Sequence, residues 1–235
     1  KHLGTEAYVG GNIDMGAGHV HPLNYALGLG SAALGLGVRI HEQSRVTQID
    51  RGEPALVHTD AGRVRARYVL VAGNGYLGGL VPEVSRRVMP INNFIVATEP
   101  LGDAADDIIK QNVAVADSKF VVNYYRLSGD KRMLWGGGES YGYRFPRNLA
   151  EMARKPMLEV FPQLSDAKID YAWGGTLAIT TKRMPSFQRI TGNIFSAGGY
   201  SGSGVAMATM GGKLMAEVVA GQAERFDLMA SYPQP

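Results

Sequence analysis

A run of glycines and small polar residues lies between two apolar stretches near the end of the chain. It covers Gly198–Gly204, after a predicted short strand at Asn193–Ala197 and before a predicted helix at 205–220. Glycines let backbone N–H groups face a ligand with no side chain between them, and a helix N-terminus adds a partial positive charge. An anionic or electron-rich ligand group is therefore expected at this loop. A glycine-rich turn needed only for packing is the alternative.

The sequence also contains a literal G-x-G-x-x-G pattern, Gly73–Gly78, after the apolar run Tyr68–Ala72. In a dinucleotide-binding Rossmann unit this pattern opens a long helix whose N-terminus meets the pyrophosphate. Here Gly79 and Pro82 follow at once, and no long helical stripe fits. A tight turn close to a ligand or to another loop is favoured over a complete Rossmann unit.

Other patterns that could carry chemistry are weak. His19 and His21 precede Pro22, but two histidines without a third nearby ligand do not predict a metal site, and capping or packing explains them better. Ser201 does not have the G-x-S-x-G spacing of a hydrolase nucleophile. Several aromatic residues either fill a core or line a pocket for an amine or a flavin. They are Tyr124, Tyr125, Trp135, Tyr141, Tyr143, Tyr171, Trp173 and Tyr200.

Composition excludes whole classes of site. The chain has 235 residues, of which 45% are hydrophobic and 19% charged, so it can bury a core. The absence of cysteine excludes disulfides, zinc–thiolate sites and thiol catalysis. A net charge of +3 with scattered basic residues gives no nucleic-acid patch. Neither a membrane-length apolar run nor a signal-peptide pattern is found, so a cytoplasmic protein with no nucleic-acid or membrane partner is expected.

The residue patterns predict a mixed α/β protein of the α+β class. The first part combines a helix at 22–36 that has one apolar face, a short strand at 38–41 and a hairpin around Asp60–Gly62. The middle contains strands joined by short turns, which favours an antiparallel sheet. The helix at 205–220 is apolar on nearly all sides, which is typical of a buried helix.

Three segments together resemble the FAD-dependent amine and amino-acid oxidoreductases of the D-amino-acid oxidase family. The first segment combines Gly18–Leu23 with Gly37–Ile40 and Val46–Ile49. The second is Val69–Gly75. The third runs from Pro185 to Gly204, including Asn193–Gly204, and continues into the following helix. Further segments look most like the gamma-glutamylputrescine oxidase subgroup: Asp14-Met15, Trp173–Gly175 and Lys182–Pro185. The order and spacing match over nearly the whole chain.

The resemblance implies FAD as the cofactor and a small-molecule amine, similar to gamma-glutamylputrescine, as the substrate. A hydride passes from the amine C–H to FAD, and water hydrolyses the imine. The cofactor-binding residues that the resemblance implies are Val46, Ala72, Gly73, Gly199, Ser201, Gly202, Ser203 and Gly204. Tyr200 and Lys182 are the candidate catalytic residues. Leu177, Trp173 and Tyr125 are the candidate substrate-binding residues.

The sequence departs from the family in instructive ways. The N-terminal strand–G-x-G-x-x-G–helix that holds the FAD pyrophosphate is not found, so the chain resembles a C-terminal fragment. Many relatives have histidine where Ser203 stands. Leu177 replaces the arginine that binds the carboxylate in amino-acid-oxidising members, which argues against an α-amino-acid substrate. An amino-acid oxidase or dehydrogenase of the same fold and a non-catalytic fragment stay open as alternatives.

These departures lead to expectations for the domains and for the isolated chain. An incomplete FAD-binding Rossmann-like lobe is expected at 19–80 and 184–222. A substrate lobe with an antiparallel sheet is expected at 81–183, with 1–18 as its leading segment. The fragment alone is expected to bind FAD weakly or not at all, to be inactive, and to self-associate through an exposed sheet edge.

Overall fold

The computed structural model describes residues 2–233, which form six α-helices, eleven strands and two 3₁₀ turns. The helices are α1 (Pro22–Gly35), α2 (Pro82–Ser85), α3 (Ala104–Ile108), α4 (Leu149–Val160), α5 (Gly204–Val219) and α6 (Glu224–Ala230). The strands are β1 (Val46–Asp50), β2 (Ala55–Thr59), β3 (Arg63–Ala66), β4 (Val69–Val71), β5 (Met89–Pro100), β6 (Val115–Ala116), β7 (Tyr124–Leu127), β8 (Arg132–Tyr141), β9 (Ile169–Ile179), β10 (Ser186–Arg189) and β11 (Ile194–Gly198). No helix in residues 2–233 is both long and apolar enough to cross a bilayer.

The chain forms two compact units, each built from two stretches of sequence. Among the described residues, unit 1 contains 2–21 and 92–175, and unit 2 contains 22–91 and 176–233. The expected lobe boundaries at 80/81 and 183/184 fall elsewhere. One reason is that Val81 and Val84 pack with Val71 and Ile194 in a core of unit 2, so the segment after residue 80 folds with that unit.

Unit 1 is organised around a five-stranded sheet with the order β6-β7-β8-β5-β9. Strands β7 and β8 pair antiparallel, with Tyr124 opposite Gly136 and Leu127 opposite Met133. Helix α4 packs on one face, where Met157 joins the aromatic core of the unit. The structure confirms the mixed α/β class and the antiparallel strands expected in the middle of the chain.

Unit 2 contains two three-stranded sheets. Strands β1, β2 and β3 form an antiparallel meander that includes the predicted hairpin at Asp60–Gly62. In the other sheet the order is β10-β11-β4, with β10 antiparallel and β4 parallel to β11. Helices α5 and α6 cover this sheet, and Phe187, Phe195 and Phe226 pack edge to face at their junction.

Two helices are less buried than the sequence predicts. None of the residues of α1 is buried, and Leu23 and Leu27 are 60% and 59% exposed, although a buried apolar face was expected. Helix α5 buries Leu214 and its neighbours in the second half but leaves Val205 half exposed. The α5 side chains that pack with Phe187 and Phe195 of the sheet come from its second half: Leu214, Met215 and Val218. The expected burial is therefore wrong for α1 and for the first half of α5 in the described chain.

The short strand expected at 38–41 is also wrong. The segment is irregular, and Val38 and Ile40 are 52% and 50% exposed. Alternating apolar residues form a strand only where a neighbouring strand supplies hydrogen bonds. None of the three sheets described between residues 2 and 233 includes residues 38–41.

Candidate functional site

The first half of the loop at Gly199–Gly204 is fixed to the end of β9. Gly199 has a φ of +66°, and a Cβ there would lie 2.6 Å from Cγ2 of Thr180, so only glycine fits. The backbone N–H of Ser201 donates to the carbonyl of Ala178 at 3.1 Å. The hydroxyl of Ser201 accepts from the N–H of Thr180 at 3.2 Å. This half of the loop is held by packing and hydrogen bonds within unit 2.

The second half of the loop is open. A Cβ on Gly202 or Gly204 would meet no atom within 4 Å. Gly204 begins α5, and Ser203 caps the helix without a side-chain hydrogen bond. The first N–H groups of a helix have no acceptor within the helix, and no acidic residue lies in this first turn. The loop thus offers accessible backbone N–H groups at the positive end of a 16-residue helix.

A second loop lies at the same edge of the sheet. Because β4 and β11 are parallel, with Val71 beside Ser196, both strands deliver their following loops to one edge. Ala72 and Gly73 follow β4 and are exposed. Crevices outside the carboxyl ends of parallel strands are common ligand sites in open α/β sheets. The predicted residues Ala72, Gly73 and Gly199–Gly204 therefore share one edge of unit 2.

Asn74 links these two loops. Its side-chain Oδ1 accepts a hydrogen bond from the N–H of Gly199 at 2.9 Å. Its φ of +44° lies in the left-handed region, which asparagine tolerates better than most residues. Sequence reasoning did not single out Asn74, although asparagine between two glycines was an available signal for a left-handed turn.

The G-x-G-x-x-G pattern forms a short 3₁₀ turn, Asn74–Tyr76, rather than a long helix. Gly75 is buried. It packs so closely on β9 that a Cβ there would lie 2.4 Å from the carbonyl oxygen of Thr176. The hydroxyl of Tyr76 accepts from the N–H of the same threonine at 2.8 Å. The glycines thus allow close packing on β9, in agreement with the predicted tight turn close to another segment.

The two candidate catalytic residues have different environments. Tyr200 is 8% exposed, and a Cβ on Gly211 would lie 2.6 Å from its hydroxyl, so the ring packs on α5 beneath the loop. Burial raises the pKa of Tyr200. The buried ring supports the loop, and the catalytic role of Tyr200 stays a prediction. Lys182 is exposed, and its Nζ lies 5.6 Å from the ring centroid of Tyr232.

Val46 and Leu177 stay predictions. Val46 is the half-buried first residue of β1, in the meander rather than in the sheet that carries the two loops. Leu177 is half-buried in β9, between the buried residues Thr176 and Ala178. Alternation along the strand directs Leu177 to the opposite face from these two neighbours.

In unit 1, Tyr125 and Trp173 occupy unlike positions. Tyr125 is 2% exposed and stacks on Trp135 with ring centroids 4.7 Å apart, and its ring also meets Phe161 edge to face. Burial raises the pKa of Tyr125. Tyr125 is a core residue of unit 1, and its contact with substrate stays a prediction. Trp173 is 44% exposed on β9 and stays a candidate.

Tyr124 occupies the opposite face of the sheet from Tyr125. Its ring lies over Gly136, where an added Cβ would come within 2.1 Å of the ring. Its hydroxyl donates to Oδ1 of Asn93, and Nδ2 of Asn93 donates to the carbonyl of Gly138 at 2.9 Å. Burial raises the pKa of Tyr124 to about 12, so it stays a neutral donor at physiological pH. Sequence reasoning listed this tyrosine among the aromatics but selected its neighbour.

Comparisons with known proteins agree with this geometry. A family model described as "FAD dependent oxidoreductase" (DAO) matches residues 1–218. Gamma-glutamylputrescine oxidoreductase from Escherichia coli K12 is 43% identical over 235 residues, which are 99% of this chain and 55% of that protein. The chain spans about half the length of the curated relatives it matches.

Solved structures show the same fold. Iminodiacetate oxidase from Chelativorans sp. BNC1 superposes with a TM-score of 0.72 at 18% identity, over 86% of this chain and 57% of that chain. L-proline dehydrogenase from P. horikoshii has a TM-score of 0.69 at 21% identity, over 84% of this chain and 55% of that chain. The match over residues 1–218 together with this likeness shows that the chain belongs to the DAO family of FAD-dependent oxidoreductases.

Proposed function

We propose that this chain is part of a flavin-dependent enzyme that oxidises an amine, and that Gly202–Gly204 faces the electron-accepting ring of the cofactor. The observation that carries the proposal is the open half of the loop. Its glycines leave space where side chains would stand, and it begins a 16-residue helix without an acidic residue in the first turn. Backbone N–H groups in that arrangement favour a group that gains negative charge.

The residues at this edge of unit 2 fit FAD. When bound, FAD supplies the acceptor for the hydride that leaves the amine C–H. Gly202 and Gly204 admit a flat ring close to the backbone, and the N–H groups of the first turn of α5 stabilise its negative edge. Asn74 holds the loop in place through Gly199. Ala72, Gly73, Ser201 and Ser203 lie at the same edge and complete the proposed cofactor contacts.

The substrate we propose is an amine similar to gamma-glutamylputrescine. Support comes from the 43% identity to the E. coli enzyme that carries this substrate in its name. The family resemblance also implies that Leu177 stands where amino-acid-oxidising members have a carboxylate-binding arginine. An amine must lose its proton before it can give up a hydride, and a weakly polar surface favours the neutral amine. Trp173 and Tyr124 are the aromatic residues proposed to provide such a surface in unit 1.

We also propose that the chain needs further polypeptide to hold FAD tightly. Leu70 in β4 is 41% exposed, and α1 has no buried residue, so both present apolar surface that a longer protein could cover. The relatives have the necessary additional length. The cytoplasmic location and the lack of activity of the isolated chain stay predictions.

The test is to co-express the chain with the part of the E. coli relative that it does not cover, and to purify the complex. We expect stoichiometric FAD and anaerobic bleaching of the flavin by gamma-glutamylputrescine. Bleaching by amino acids alone would instead favour the amino-acid oxidase alternative. A complex that forms but binds no FAD would contradict the proposed cofactor site.

The matched control concerns the loop itself. Gly204→Val should abolish rapid bleaching, whereas Gly62→Val should not. Gly62 lies in the exposed hairpin of the meander, and a Cβ there also meets no atom within 4 Å. Slower bleaching in Gly204→Val than in Gly62→Val would therefore result from a side chain at the proposed flavin site, because neither valine meets steric hindrance at its Cβ.

A further inference from the structure

Arg126 has an unusual environment for a half-buried cation. It lies on β7, and its Nη1 donates to Nδ1 of His19. Within residues 2–233, no carboxylate lies at ion-pair distance from its guanidinium. A guanidinium removed from water is normally paired with an anion, because desolvation without compensation is costly.

Arg132 in the same sheet shows the ordinary arrangement. Its guanidinium contacts Asp130 at 2.7 Å and Asp170 at 2.5 Å. Asp117, which directly follows the neighbouring strand β6, accepts hydrogen bonds from the N–H and the side-chain amide of Asn123. These three carboxylates therefore have other partners, and Arg126 contacts the imidazole of His19 instead.

Arg126 shares its face of the sheet with a tyrosine that is held in place by other residues. Tyr124 and Arg126 are two positions apart on β7 and so share a face of the sheet, opposite to the buried Tyr125. Tyr124 is held by its ring contact with Gly136 and its hydrogen bond to Asn93. Because Arg126 has His19 as its hydrogen-bond partner and no carboxylate at ion-pair distance in residues 2–233, its positive charge attracts an incoming anion.

We propose that Arg126, oriented by His19, binds the carboxylate of the substrate. The inference rests on the proposed function and narrows its substrate to amines that carry a carboxylate at a distance from the reacting nitrogen, as a γ-glutamyl amine does. A guanidinium has five N–H donors, and one is used by His19, so others can bind a carboxylate in parallel.

His19 is a positioning residue in this arrangement. Its Nδ1 accepts from the guanidinium, which requires that nitrogen to carry no proton. The contact joins residues that are 107 positions apart, and it fixes one edge of a long, flexible side chain. It also gives His19 of the Gly-His-Val-His-Pro segment a role beyond the capping or packing that the sequence predicts.

The first experiment uses the 235-residue chain without flavin. Glutarate is titrated into isotopically labelled protein, and the side-chain N–H signals of its arginines are followed by NMR. We expect a saturable shift at Arg126 and none with putrescine, which has no carboxylate. Arg126→Gln should remove the effect, while Arg144→Gln, the same charge change on an exposed arginine of unit 1, should keep it. No saturable shift at Arg126 would overturn the proposal, whatever the fate of the flavin site.

The second experiment uses the flavin-loaded complex described above. Arg126→Gln should raise KM for gamma-glutamylputrescine by about 10- to 100-fold, the effect of losing one charged hydrogen-bonded pair, and leave KM for putrescine unchanged. His19→Ala should give part of that rise, and His19→Asn, which restores an acceptor near the Nδ1 position, should recover it. Equal effects on both amines would contradict carboxylate binding without removing the flavin proposal.

Discussion

Oδ1 of Asn74 accepts a hydrogen bond from the N–H of Gly199 at 2.9 Å, which joins the turn after β4 to the turn after β11. Both residues have positive φ values, +44° and +66°. The two turns therefore depend on each other, and their strands are already parallel neighbours. The hydrogen bonds that position the loop are made by Gly199 and Ser201 in its first half. The second half, at Gly202 and Gly204, has open space beside its backbone.

The first prediction concerns this hydrogen bond. Asn74→Ala should lower the free energy of unfolding by about 1–3 kcal/mol, because the N–H of Gly199 loses its acceptor and alanine disfavours a positive φ. Asn74→Gly should cost less, since glycine keeps the backbone conformation and loses only the acceptor. Urea unfolding of both variants measures the difference. An equal cost would mean that the backbone conformation of residue 74 is unimportant.

The second prediction separates the two halves of the loop. Gly199→Ala should destabilise the protein by roughly 1–3 kcal/mol, because the new Cβ would meet Thr180 and strain a left-handed residue. Gly204→Ala should change stability by less than about 1 kcal/mol, since its Cβ enters open space at a helix start. Comparable losses in urea unfolding would show that the second half is packed rather than open.

Local patterns predicted this loop well because its conformation depends on residues close in sequence. The glycine spacing and the apolar run placed a loop before a helix at 205–220, and α5 is found at Gly204–Val219. Burial was harder to predict. The apolar residues of α1 are those of a packed helix, but a sequence does not show whether a neighbouring element covers them.

The different burial of Tyr124 and Tyr125 was hard to predict for a related reason. Adjacent residues of a strand point to opposite faces, and two tyrosines in a row do not reveal which one faces the core. The contact of Arg126 with His19 joins two distant segments, so no local spacing could predict it. By contrast, the short turn at Gly73–Gly78 was predictable because Pro82 excludes a long helix there.

The third prediction uses the raised pKa of Tyr124, which is about 12 in the folded chain. The unfolded tyrosine ionises near pH 10, so between about pH 10 and 12 the unfolded state releases a proton that the folded state retains. Stability is therefore lost as the pH rises through this window. At about pH 11, a single such group lowers the free energy of unfolding by about 1.4 kcal/mol relative to neutral pH.

Tyr124→Phe should remove that part of the alkaline loss, although it costs about 1 kcal/mol at neutral pH through the hydrogen bond to Asn93. Tyr143→Phe, which changes an exposed tyrosine of the same unit, is the control. Unfolding in urea at neutral pH and at about pH 11 gives the comparison. An unchanged alkaline loss in Tyr124→Phe would contradict the assigned burial.

The fourth prediction concerns the isolated 235-residue chain. We expect it to purify colourless and to self-associate, because β4 is an edge strand with Leu70 41% exposed. Leu70→Lys should reduce the association in sedimentation experiments. Leu228→Lys, which places the same charge on the 72% exposed residue of α6, should leave it unchanged. A tight yellow FAD complex of the chain alone would contradict the expectation that further polypeptide is required.

The fifth prediction concerns substrate choice. Leu177→Arg in the flavin-loaded complex should improve the oxidation of α-amino acids relative to amines, because it restores a cation at the position that amino-acid-oxidising relatives use. Flavin content should be unaffected. Steady-state rates with both substrate classes test this. Unchanged preference would remove the argument that Leu177 disfavours amino acids.

The most direct test of the central claim is anaerobic stopped-flow reduction of the flavin-loaded complex by gamma-glutamylputrescine, with and without Gly204→Val. We expect rapid bleaching in the parent complex and a fall of roughly 10²-fold or more in the valine variant, because the side chain separates the ring from the N–H groups of α5. The flavin content of the two complexes is measured beside it. Full-speed bleaching in Gly204→Val at equal flavin content would contradict the claim that this loop faces the reacting ring.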